Sequence, residues 1–150
     1  MKRFEFRLGS LLNLRRSSEE AAKRAFGIAR QAAELQAAEV RRSADAESRA
    51  KSDLRGAQGT RELRVADLLA HQRHVAALSR RTGVEKQRLG ELEAASEKAR
   101  EALAASMRDR KALDRLRERR AAEWTVEMLK DEQRTIDETS AASRASGGLR

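Results

Sequence analysis

Apolar residues from residue 8 onward recur at alternating spacings of three and four. Leu14, Ala21, Ile28 and Leu35 interleave with Leu11, Ser18, Ala25 and Ala32 as the two seam positions of a heptad. Past Leu35 the seam decays, and Glu39, Arg42, Ala46 and Arg49 fall at its positions. The pairs Glu19 to Lys23, Glu20 to Arg24 and Glu47 to Lys51 stand four residues apart in the order that supports a helix. Ser17-Ser18-Glu19-Glu20 has capping-box spacing, but the leucines upstream place the helix start earlier, near residue 7. Phe4-Glu5-Phe6-Arg7-Leu8 alternates as a strand would, yet no partner strand exists in the pattern. The two phenylalanines are therefore expected at the mouth of the helix.

The clearest break is Gly56-Ala57-Gln58-Gly59-Thr60, with Thr60 expected to cap the next helix and Glu62 to stand in its first turn. The second periodic segment carries Leu68, Val75, Leu78, Leu89, Leu92, Ala99 and Leu103, then shifts register to Leu113, Leu116, Trp124, Met128 and Ile136. Thr82-Gly83-Val84-Glu85 also has capping-box spacing, and Gly83 and Gly90 each weaken a helix by about 1 kcal/mol, which allows a kink near 82–84. Two long helices joined by a short glycine turn fold back on each other. The expected fold is all-α: a long antiparallel two-helix coiled coil, or helical hairpin, with a longer second helix. It forms a single domain, 1–150. Helix 1 covers about 7–55, the turn 56–60, helix 2 about 61–142 and a frayed tail 143–150. The surplus of helix 2 falls at its C-terminal end.

Composition agrees with that reading. Of the 150 residues 38% are charged and 3% aromatic, with no Pro, Cys or Tyr. The apolar share is largely alanine, so no thick globular core can form. Disorder is the competing reading, but Ala, Leu, Arg and Glu are strong helix formers. No stretch reaches the roughly 20 apolar residues of a membrane span. Glu5 and Arg7 interrupt any signal-peptide core. Without cysteine there is neither disulfide nor thiolate metal site, which suits the cytoplasm.

The net charge of +9 permits nucleic acid, an anionic membrane surface or an acidic protein partner. The strongest basic run is Arg108-Asp109-Arg110-Lys111-Ala112-Leu113-Asp114-Arg115-Leu116-Arg117-Glu118-Arg119-Arg120. Asp109, Asp114 and Glu118 dilute it and base-reading groups are absent, so a solvated helix face is the plain reading and an electropositive collar for an acidic protein surface the functional one. No catalytic constellation, phosphate loop or cofactor motif is present, and the chain reads as a non-enzyme with no small-molecule substrate. His71 and His74 lack a third metal ligand and read as surface or seam-edge histidines. Trp124, one turn from Met128, is expected either to pair with Phe4 and Phe6 or to meet a partner.

Both ends resemble the flagellar FliJ family. The opening Phe4-Glu5-Phe6-Arg7-Leu8 with the leucine pair Leu11-Leu12, Arg15-Arg16 and Glu19-Glu20 resembles the family's start. Arg117-Glu118-Arg119-Arg120, Asp131-Glu132 and Ile136-Asp137-Glu138 resemble its C-terminal signature, and His71 to Leu78 its second-helix start. The resemblance implies a cytoplasmic, stalk-like coiled coil of the flagellar type III export apparatus, peripheral to the membrane through its partners and serving flagellum assembly, motility and chemotaxis. The implied partners are the ring of the export ATPase FliI, the gate protein FlhA and export chaperones. By the same implication Phe4, Phe6, Arg7, Leu8, Leu11, Leu12, Arg15, Trp124, Met128, Asp137 and Glu138 face the ATPase ring. Gln36, Val40, His74 and Leu78 face the gate; Ser43 and Glu47 stand where the family carries aromatics. The alternatives are the homologous stalk of a virulence secretion system and a basic coiled coil that binds nucleic acid.

Overall fold

The computed structural model describes residues 3–60, 62 and 64–147. The protein is a helical hairpin of two helices, α1 (Gly9–Gln58) and α2 (Val65–Gly147), with no strand among the described residues. The second helix has 83 residues and the first 50, which bears out the longer second arm. The helix formers that fill both segments, and the absence of proline, account for their length. Helix α1 starts two residues later than the leucine spacing suggests and ends three residues later. The expected start of the second helix at residue 61, and positions 148–150 of the expected tail, lie outside the described residues. Helix α2 runs through residues 82–84 as one helix and reaches into the tail.

Thr60 and Thr82 are used otherwise than as caps, and Ser17 lies inside a helix, as the leucines upstream predict. The Thr60 hydroxyl donates to the Gly56 carbonyl at 3.2 Å, so it closes the end of α1 rather than opening α2. The start of α2 is made instead by the Arg64 carbonyl, which accepts the Asp67 and Leu68 amides, and Glu62 lies outside the helix in a turn. Thr82, in mid-helix, donates back to the Leu78 carbonyl at 3.0 Å. Ser17 and Ser18 stand inside α1. A capping box needs a chain that enters a helix, and here both chains were already helical.

Packing divides the chain into two units, Met1–Glu19 with Ala105–Arg150, and Glu20–Ala104. In the second unit the face of α1 turned inward is not the one the large aliphatics mark. Ile28 and Leu35 are 70% and 64% exposed. The covered positions centre on Ala22, Phe26, Ala29, Ala33, Gln36, Val40, Ser43, Glu47, Ala50, Leu54 and Ala57, again at spacings of three and four, flanked by Ala32, Ala37, Ala38, Glu39, Ala44 and Ala46. In the first unit Leu14 is 64% exposed whereas Leu12 is 3% exposed. The seam of α1 is thus one built from small and polar residues. Small side chains let two helices approach closely, so they occupy the inner face and displace bulkier ones outward. On α2 the sequence reading holds: Leu68, Val75, Leu78, Leu89, Leu92, Ala99, Leu103, Leu113, Leu116, Trp124 and Met128 are all half-buried. Ile136 is the exception, at 56% exposure.

A single helix pair covers only one side of each helix. Among the described residues the buried apolar set is accordingly just Leu12 and Ala50, while Glu19, Gln36, Ser43 and Thr82 are as deeply covered. Each of these polar groups has a partner, as burial demands. In the second unit Gln36 Nε2 donates to the Glu85 carbonyl at 3.1 Å and to Glu85 Oε2 at 2.6 Å. Hydrogen bonds from Lys51 and Thr82 hold the half-buried Glu47 carboxyl below its ordinary pKa.

Candidate functional site: the aromatic end of the first unit

Residues 3–6 are not helical. A turn closed by the Gly9 amide on the Phe6 carbonyl, at 2.9 Å, leads into α1. The turn lays the N-terminal segment against α2. The Phe4 and Trp124 rings meet with centroids 6.1 Å apart and planes tilted by 55°, within the range of favourable aromatic pairs. Phe4, Phe6 and Trp124 are half-buried rather than enclosed. Around them lies an open cleft of about 820 Å³, whose apolar wall adds Leu8 and Leu116. Its rim carries both signs: Arg7 and Arg120 against Glu5, Glu123 and Glu127.

One to three turns along α1 the site is braced by charge. Arg110 donates to the buried Glu19 carboxylate through Nε and to Asp114 through Nη1. Arg16 donates to Asp114 at 3.2 Å, and Arg15 pairs with Asp109 at 3.1 Å. Burial pushes the Asp114 carboxyl up, but the bonds from Arg110 and Arg16 outweigh it and leave its pKa below the ordinary value. The bond to Glu19, and after it the bond to Asp114, raise Arg110. Three arginines and three carboxylates thus tie α1 to α2 next to the aromatic cleft. The register of α1 carried a usable signal for Glu19: it stands seven residues from both Leu12 and Phe26 on the covered face.

Of the residues expected at a ring contact, Phe4, Phe6, Arg7, Leu8 and Trp124 come together in this cleft. Leu12 is packed inside the pair, Leu11 is 38% exposed, and Arg15 is engaged with Asp109. Met128 lies in a second, shallower groove with Asp131, Glu132, Thr135 and Ile136. Asp137 and Glu138 are exposed further along α2, Asp137 accepting from Gln133 at 2.9 Å. Leu116, Arg120, Glu123 and Glu127 also line the cleft, although the sequence places none of them at the ring contact. In the second unit, the expected gate residues divide. Gln36 is held by Glu85, Val40 and Leu78 are half-buried at seam positions, and His74 is exposed.

The family model described as "Flagellar FliJ protein" matches residues 4–148. The chain belongs to the FliJ family. A FliJ chain is a non-enzymatic, cytoplasmic component associated with flagellar type III export, and the site is therefore read as a surface for partners. No curated protein matches the chain, and no solved structure does. No helix among the described residues is long and apolar enough to cross a membrane.

Proposed function

We propose that this FliJ-family chain is a stalk-like coiled coil that binds the ring of the export ATPase FliI through the aromatic end of its first unit, promotes assembly of that ring, and binds the gate protein FlhA through the second unit. The observation that carries the reading is the open cleft at Phe4, Phe6 and Trp124. Scarce aromatics left half-covered in a chain with 3% aromatic residues are the anchors that interfaces use. The residues proposed at the ring are Phe4, Phe6, Arg7, Leu8, Leu11, Leu12, Arg15, Trp124, Met128, Asp137 and Glu138. Those proposed at the gate are Gln36, Val40, His74 and Leu78, of which His74 stands freest. Export chaperones are further proposed partners, and membrane association is proposed to be peripheral and indirect.

Stimulation of the purified export ATPase tests the ring contact. Phe4→Ala with Phe6→Ala and Trp124→Ala is expected to reduce stimulation at least tenfold, the loss typical of interface anchors, while far-ultraviolet circular dichroism stays unchanged. Helicity that falls in step with stimulation assigns these residues to folding and ends the ring reading. Leu78→Asp tests the gate contact: unchanged FlhA affinity in a folded variant removes that patch.

A further inference from the structure

In the first unit, α2 has a second organised face, turned away from α1. At about 3.6 residues per turn, Arg108, Lys111, Arg115 and Arg119 fall within an arc of roughly 80°. That arc lies opposite the half-buried positions Arg110, Leu113, Ala121 and Trp124. All four cations are exposed, and none has an ion pair among the described residues. The acids that dilute this run in the sequence are spent elsewhere: Asp109 pairs with Arg15, and Asp114 with Arg16 and Arg110. Ala112 stands among the cations and Ala104 and Ala122 before and after them on this face, with Glu118 at its edge.

Farther along, the same face carries exposed aliphatics, with Gln133 and Lys130 among them. Val126 and Leu129 are 50% and 60% exposed, and Ile136 is 56% exposed. Val126 and Leu129 continue the spacing of the cations along α2 on the side away from Trp124, and Ile136 stands at the edge, where it shares a groove with Met128. The whole face, cations first and aliphatics after, is about 42 Å long at about 1.5 Å per residue.

We propose that this face of α2 docks an acidic amphipathic helix of about four heptads from a partner protein, with carboxylates over Arg108 to Arg119 and apolar residues over Val126 to Ile136. Charge and apolarity together select that occupant. A phosphate backbone matches four cations but has no use for an aliphatic stripe in line with them. A bilayer needs its aliphatics along the length of a helix with cations at the flanks, not the two segregated end to end. A second copy laid parallel sets cation on cation, and laid antiparallel brings Lys130 among them. The proposal does not rest on the ring reading, whose aromatic cleft is lined by Leu116, Arg120 and Trp124 on another side of α2.

The probe is a fluorescein-labelled synthetic peptide of about four heptads, with leucine at the seam and glutamate flanking it in the half that meets the cations. A control peptide carries lysine for each glutamate. Anisotropy with the full chain should show binding of the acidic peptide only. Arg108→Glu, Lys111→Glu, Arg115→Glu and Arg119→Glu combined should raise Kd about tenfold or more, and Val126→Ser, Leu129→Ser and Ile136→Ser combined should do so independently. Both sets lie on an outer face, so circular dichroism and melting should stay as in the parent. Equal binding of the lysine peptide, or an unchanged Kd in either variant set, overturns the proposal. So does tighter retention of an oligothymidylate or of phosphatidylserine vesicles than of the acidic peptide, or a dimer in sedimentation equilibrium that excludes the peptide. ATPase stimulation measured on the cation set separates this face from the aromatic cleft, since the proposal predicts no change there.

Discussion

Ser43 of α1 and Thr82 of α2 share a hydrogen bond between hydroxyls, 3.1 Å apart, at two of the most deeply covered positions of the second unit. Thr82 serves a second purpose by donating to the Leu78 carbonyl when its proton turns that way. A polar layer in an otherwise alanine-rich seam fixes which residues of the two helices stand opposite, because a slip breaks the bond between the two hydroxyls and takes that partner from the buried Ser43.

Replacing both members of that layer should therefore raise stability and loosen register. Ser43→Ala with Thr82→Val is expected to stabilise by about 0.5–1.5 kcal/mol in urea denaturation, since a buried pair replaced by apolar groups of like shape is neutral or favourable. Thr82→Val alone leaves Ser43 unpaired and should cost about 1 kcal/mol. A double variant less stable than either single one would show that the hydroxyl pair stabilises outright.

The two faces of α1 should differ sharply in what they contribute. Leu12, at 3% exposure, is expected to cost about 2–3 kcal/mol on truncation to alanine. Leu35 and Ile28, at 64% and 70% exposure, should each change stability by less than about 0.5 kcal/mol. Thermal and urea melts of the three variants decide it, and an equal loss at Leu35 would return the seam to the face the large aliphatics mark.

That contrast also explains what the sequence could and could not disclose. On α2 the covered face is marked by its bulkiest residues, from Leu68 to Leu116, so periodicity alone finds it. On α1 the covered face is mostly alanine, serine, glutamine and glutamate, with Leu12, Phe26, Val40 and Leu54 spread among them, and hydrophobic spacing locks onto Leu14, Ile28 and Leu35 outside. The hairpin itself needed only helix formers and one glycine break. The pairing of Phe4 with Trp124 was open to inference because both are rare in this chain. The bracing of Glu19, Arg110, Asp114 and Arg16 was not, because charge counting along one helix cannot tell which acids face the other.

Gly90 is exposed within α2, and a Cβ added there meets nothing within 4 Å. Gly90→Ala is expected to stabilise by about 0.5–1 kcal/mol, by restricting the unfolded chain and favouring the helix. A drop in melting temperature would point to a bend at that position.

The charge network next to the cleft should respond to acid. Asp114 has a pKa below its ordinary value when folded. Its stabilising contribution is thus complete above about pH 4, where the unfolded carboxyl ionises, and is lost as pH falls through the folded value. Urea midpoints are expected to decline below about pH 4, and Asp114→Asn should flatten that decline. The variant should also be less stable at neutral pH, because Arg110 and Arg16 lose an acceptor. A pH profile identical to the parent's would mean that the network adds nothing on folding.

The Phe4–Trp124 contact has a practical consequence. The chain holds one tryptophan and no tyrosine. Its ultraviolet emission therefore comes from a single indole, seated where the N-terminal segment crosses α2. Emission wavelength, quenching by iodide and anisotropy decay all report on that one junction. Release of the segment, or its capture by another protein, becomes visible in solution without any added dye.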